Sequence, residues 1–131
     1  MGIAVTLRDQ SSTGRSTGVV RLEDIPTAIT LRDLIRTRVR EEVARYNAEP
    51  KDVFEGLVMP EGAEATRRGF AMRNARHVDW VKQADRAIEA FGANGFFVLV
   101  DDRQMTELDG ELGLTADSDI RFVRLVQLVG G

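Results

Sequence analysis

The chain has 131 residues, one domain's worth, and 43% of them are apolar, enough to fill a core and too many for a disordered chain. Its 18 basic and 21 acidic residues leave a net charge of −3, which argues against a protein that coats nucleic acid. With no cysteine and a single histidine, His77, there is no disulfide scaffold, no thiolate nucleophile and no His-rich metal site; neither a metal nor a cofactor is expected.

Ile3, Val5 and Leu7 alternate with Ala4, Thr6 and Arg8, the pattern of a half-buried strand. A polar stretch from Gln10 to Ser16 leads to a second strand near 18–23, with Val20 and Leu22 on one face, so the two read as a hairpin. Gly14 to Gly18 lacks the lysine and the strand-to-helix setting of a phosphate loop and reads as a turn. Asp24-Ile25-Pro26 ends the hairpin, and Thr30 is placed as an N-cap. Leu31, Leu34, Ile35, Val39, Val43 and Tyr46 then recur at three- and four-residue steps, which predicts an amphipathic helix. Arg36, Arg40, Glu41 and Arg45 are expected on its solvated face, with Glu41 and Arg45 at a favourable spacing.

Residues 48–76 are broken by Pro50, Gly56, Pro60, Gly62 and Gly69. A second helix is predicted over 77–91, with an apolar stripe through Trp80, Val81, Ala84, Ala87, Ile88 and Phe91 and a C-cap at Gly92. After Asn94-Gly95, the run Phe96 to Val100 is apolar throughout, as in a central strand. Turns follow at 101–102, 109–110 and 116–119, the last strand covers 120–126, and the sequence reads on as Gln127-Leu128-Val129-Gly130-Gly131. The longest apolar run, Phe96 to Val100, is far too short for a membrane span, and no signal-peptide pattern stands at the start, so a cytoplasmic protein is expected. Only Lys51 and Lys82 among the basic residues are lysine, a bias that hints at a GC-rich prokaryotic genome.

These elements give an α+β layout with a mixed sheet. The helix opening Thr30-Leu31-Arg32-Asp33-Leu34, the stretch from Leu112 to Asp119 with the strand after it, and the closing Gly130-Gly131 together resemble the β-grasp (ubiquitin-like) family, which includes ubiquitin and the small sulfur-carrier proteins. The resemblance implies a β-grasp mixed sheet packed on one main helix. It puts the core at about 1–47 and 95–126, a helical insertion before the central strand at about 48–94, and a tail at 127–131.

It further implies that an ATP-dependent, ubiquitin-activating-like adenylating enzyme acts on Gly131, with Gly130 beside it and Val126, Gln127, Leu128 and Val129 read by partners. On that basis the chain is a protein modifier joined to a target amine by an isopeptide bond, with a conjugating enzyme and a target protein as further partners. One alternative is a sulfur carrier forming a C-terminal thiocarboxylate, served by sulfur donor and acceptor enzymes. Another is an adaptor that is not conjugated. In all three the chain is a carrier or binding module rather than an enzyme, for no nucleophile–base pair stands out.

Two surfaces are singled out. With Ile120 and Phe122 inward, period two puts Val123 and Leu125 on the opposite sheet face, either open to a partner or covered by the second helix. Arg124 then points inward, and a bulge or an exit from the sheet is expected there. Arg67, Arg68, Arg73 and Arg76 offer a patch for an anionic partner or are simply solvated; neither nucleic acid nor a membrane is expected as a partner. Asp101, Asp102, Asp117 and Asp119 are read as strand-end and turn residues rather than a cation site.

Overall fold

A computed structural model describes residues 2–73 and 76–125. The elements along them are β1 (Ile3–Ser11), β2 (Ser16–Ile25), β3 (Ala28–Thr30), α1 (Leu31–Ala48), β4 (Val53–Phe54), β5 (Glu64–Thr66), β6 (Gly69–Ala71), α2 (Trp80–Gly92), β7 (Phe96–Val100), β8 (Arg103–Met105), β9 (Glu111–Gly113) and β10 (Ile120–Arg124). They fall into two compact units, one of residues 1–34 and 91–131 and one of residues 35–90.

The first unit is built on a five-stranded mixed sheet in the order β2-β1-β10-β7-β8. β1 runs antiparallel to β2 and parallel to β10, with Leu7 opposite Ile120 and Ser11 opposite Arg124. β7 is antiparallel to both β10 and β8. The middle strand is therefore β10, and β7 lies one place from the edge. Period two decides what each strand buries: Val5, Leu7 and Asp9 from β1, Phe96, Val98 and Val100 from β7, and Ile120 and Phe122 from β10. The Phe96 and Phe122 rings stack with centroids 5.9 Å apart, and Phe91 tilts onto Phe96 at 5.7 Å. Burying each such ring contributes about 1.5–3 kcal/mol relative to leaving it in water.

The predicted hairpin is present and longer than expected, because β2 runs on through residues 16–17 at one end and 24–25 at the other. Two irregularities interrupt its ladder. Asp9 faces Gly18 while Gln10 faces Ser16, which leaves Thr17 unmatched, and a second shift near Asp24 puts that residue at φ 55°. Thr30 caps α1 as predicted, its Oγ1 accepting the Asp33 N–H at 3.1 Å. The Leu31 and Arg32 N–H groups donate to the carbonyls of Gly110 and Leu108, at 3.1 and 2.7 Å. β3 pairs with β9 beside this contact, an element absent from the sequence reading. Asp101 (φ 50°) and Asp102 (φ 66°) form the two-residue link between β7 and β8, a geometry that asks for left-handed residues at both positions.

The second unit is not purely helical. It holds a three-stranded sheet in the order β4-β6-β5 as well as most of α1 and α2. α2 starts at Trp80 rather than His77, because Asp79 caps it: its Oδ1 accepts the Val81 and Lys82 N–H groups at 2.9 and 3.3 Å. At the other end Asn94 (φ 60°), and not Gly92, takes the left-handed conformation, with its N–H on the Phe91 carbonyl at 3.1 Å. Gln83 and Arg86 donate to the carbonyls of Val58 and Met59, at 2.7 and 2.8 Å, and Asn47 makes two 2.8 Å bonds to the backbone of Val78.

The supposedly solvated face of α1 is partly used for packing. Arg36 and Arg40 each place a guanidinium 5.4 Å from the centroid of Trp80, and Arg36 lies 3.7 Å from Asp85. More consequential is a pair that the periodicity passed over. Arg38 is fully buried and Glu42 is 8% exposed; they meet at 3.1 Å, and the second oxygen of Glu42 accepts the Leu57 N–H at 3.2 Å.

Glu42→Ala removes the carboxylate that the buried Arg38 guanidinium meets and is expected to destabilise the protein by about 3–5 kcal/mol. Glu41→Ala, which breaks only the exposed 3.3 Å pair with Arg45, is expected to cost less than about 0.5 kcal/mol. Urea unfolding midpoints at constant m-value separate the two.

Candidate functional site

Gly130, Gly131 and the preceding Val126, Gln127, Leu128 and Val129 lie outside the described residues. What the structure describes is the place from which they depart. β10 keeps its register to Arg124, which stands opposite Ser11 of β1 and Phe96 of β7. One residue on, the Leu125 N–H donates to the Gly95 carbonyl at 3.2 Å. Of the two expectations for Arg124, a bulge is absent and the strand ends there instead. Its side chain points inward as alternation requires and finds a carboxylate, with Nη2 3.6 Å from Oδ2 of Asp9.

Of the two residues expected on the opposite sheet face, Val123 is only 5% exposed and Leu125 is 41% exposed. Phe97, in register with Val123, and Leu99 of the same strand are half-buried. Most of the exposed apolar surface of this pair therefore belongs to Leu125.

The arginine group is divided by the second unit's small sheet. Arg67 and Arg68 sit in the turn between β5 and β6, whereas Arg73 and Arg76 follow β6 at the other end of that strand. Arg76 donates to the Glu61 carbonyl, while Thr66 Oγ1 accepts the Arg68 N–H at 3.2 Å and so shapes the turn. His77 is exposed just ahead of α2.

The four aspartates have structural roles. Asp101 and Asp119 exchange two bonds, Asp101 N–H to the Asp119 carbonyl at 2.8 Å and Asp119 N–H to Asp101 Oδ1 at 2.9 Å. Arg121 grips Asp119 through Nε and Nη2, at 3.1 and 2.7 Å, with Asp102 at 4.0 Å, and Thr115 Oγ1 accepts the Asp117 N–H at 3.2 Å. Among the described residues, no group of three or more His, Asp or Glu is placed to hold a metal ion.

An open cavity of about 580 Å³ lies in the first unit, lined by Arg32, Phe91, Gly92 and residues 106–110. Arg32 is held there by Asp109 through two bonds of 2.9 and 3.4 Å. The guanidinium, by hydrogen bond first and charge second, keeps the Asp109 carboxyl below the usual carboxylate range. Residues so far apart in the chain give no sequence signal of a shared cavity; only the turn at Asp109-Gly110 was legible.

Because the folded-state pKa of Asp109 is lowered, its link to Arg32 is intact at neutral pH and is lost as pH falls through that lowered value. A carbon-detected titration is expected to show Asp109 ionising below about 3.9, the ordinary aspartate value, and Arg32→Gln to return it there.

No family model, curated protein or solved structure matches the chain.

Proposed function

We propose that the chain is a ubiquitin-like modifier of β-grasp fold, whose Gly131 carboxylate is adenylated by an ATP-dependent activating enzyme and transferred to a target amine. The observation that carries the reading is the strand order. A hairpin leads through a helix to β7, and the last strand then returns between β1 and β7, parallel to β1. A mixed sheet of this order is compatible with the β-grasp resemblance, and in the sequence Gly130-Gly131 follow Leu125 by at most six residues.

The chemistry then proceeds in two displacements. A carboxylate oxygen of Gly131 attacks the α-phosphorus of ATP and expels pyrophosphate. A target amine attacks the resulting acyl carbon, forms an amide, loses a proton and releases AMP. Glycine suits the first step because it lets backbone approach an enzyme channel closely and adopts torsions that other residues avoid. Placing the carboxylate in line with the phosphate is an entropic contribution made by the partner enzyme.

The apolar character of Val126, Leu128 and Val129, interrupted by Gln127 alone, favours the sulfur carrier as a second reading. There sulfide-level sulfur from a donor attacks the acyl carbon of the adenylate and expels AMP, so that Gly131 is left carrying a thiocarboxylate. Both readings require Gly131 to carry the free α-carboxylate of the mature protein. The adaptor reading does not.

Intact mass spectra of the protein purified from its own host decide among them. Higher-mass species joined through Gly131 to an amine are expected. A sulfur-for-oxygen exchange at Gly131 would make it a sulfur carrier, and a free carboxylate in every fraction would leave the adaptor. Deleting Gly130-Gly131 is expected to abolish conjugates while leaving the thermal midpoint unchanged.

A further inference from the structure

We infer that Asp9 and Arg124 are a positioning pair that fixes where β10 ends and therefore where the segment 126–131 begins, an inference that rests on the modifier reading.

Asp9 occupies an inward position of β1, on the same face as Val5 and Leu7, and is 5% exposed. A carboxylate at such a place is costly unless it is paired, and an apolar residue would fill the position at no such cost. Its neighbour in register on β2 is Gly18, where a Cβ would lie 3.9 Å from Asp9 Oδ2, in ordinary contact. From β10 comes Arg124, with Nη2 3.6 Å from the same oxygen.

Arg124 is the last residue of β10, and Leu125 follows it with an N–H bonded to Gly95. The strand end is thus fastened on both sides, to β1 by a side-chain charge pair and to the residue preceding β7 by a backbone bond. Strand ends fray readily, so a tie at the final residue sets the terminus more sharply than ladder bonds alone. The departure point matters because reach is measured from it. Six residues extended at strand rise cover about 20 Å, and releasing two residues from the strand shifts the far end by about 7 Å. The root sets reach, and the partner enzyme supplies the final alignment of the carboxylate.

The test uses the full chain in its own host as wild type, Asp9→Asn, Arg124→Gln and the charge-keeping Arg124→Lys. Amide hydrogen exchange at Leu125 is read beside exchange at core Phe122, and the modified fraction of Gly131 is read by mass. Asn and Gln variants are expected to speed Leu125 exchange about tenfold with Phe122 unchanged. The modified fraction should fall several-fold in both, and Arg124→Lys should recover each readout. Should Asp9→Asn fail to fold, Arg124→Gln carries the test, since that side chain is already 37% exposed.

Unchanged exchange at Leu125 overturns the anchoring. Faster exchange with a wild-type level of modification overturns the positioning role. An unmodified Gly131 in the wild type overturns the modifier reading itself, and the positioning role with it; that failure shows in the wild-type mass alone and so is distinct from the other two.

Discussion

The parallel ladder between β1 and β10 is the constraint on which the first unit depends. It joins residues 7–11 to residues 120–124, so the sheet closes only when the two ends of the described chain meet. Parallel neighbours cannot be linked by a tight turn, and everything between them must form a crossover. The hairpin and β7-β8 flank this ladder on either side, and the inward rows of all of them are continuous only with β10 in the middle. Closing so long a loop costs entropy that is returned only once Ile120 and Phe122 are buried.

The second unit is organised around charges rather than apolar residues alone. Arg38 and Glu42 stand one turn apart on α1, and Glu42 spends its second oxygen on the backbone of Leu57. An irregular segment is thereby fixed to a regular helix at a defined position. Gln83 and Arg86 do the same from α2 to the adjoining carbonyls of Val58 and Met59. Side chains satisfy backbone groups that no strand reaches, which is how a stretch rich in proline and glycine stays ordered.

What the sequence made legible follows from periodicity. α1, β1, β7 and β10 have strong three-to-four or two-residue patterns, and their positions were readable to within a few residues. The three short strands at 53–71 have too few residues for any period to show. The start of α2 was misplaced because the apolar stripe fixes a face but not a first residue, and Asp79 as the cap was overlooked. Arg38, Glu42 and Asp9 were invisible for another reason: charged residues on inward positions look like breaks in a pattern until their partners, four and 115 residues away, are known. The proposed tail chemistry was legible as composition, and the anchoring of its root was not.

The free edge of β2 has a consequence for encounters between molecules. Its ten residues would offer a long template to any other extended chain, yet the slips around Thr17 and Asp24 leave a regular run only from Gly18 to Leu22. Arg21 and Glu23, paired at 2.8 Å on the outward row, add charge beside exposed Val19. A visiting strand meets a short, twisted and charged border instead of a flat one. Such a border disfavours adhesion between copies of the chain, and it arises from the same two irregularities that shape the hairpin.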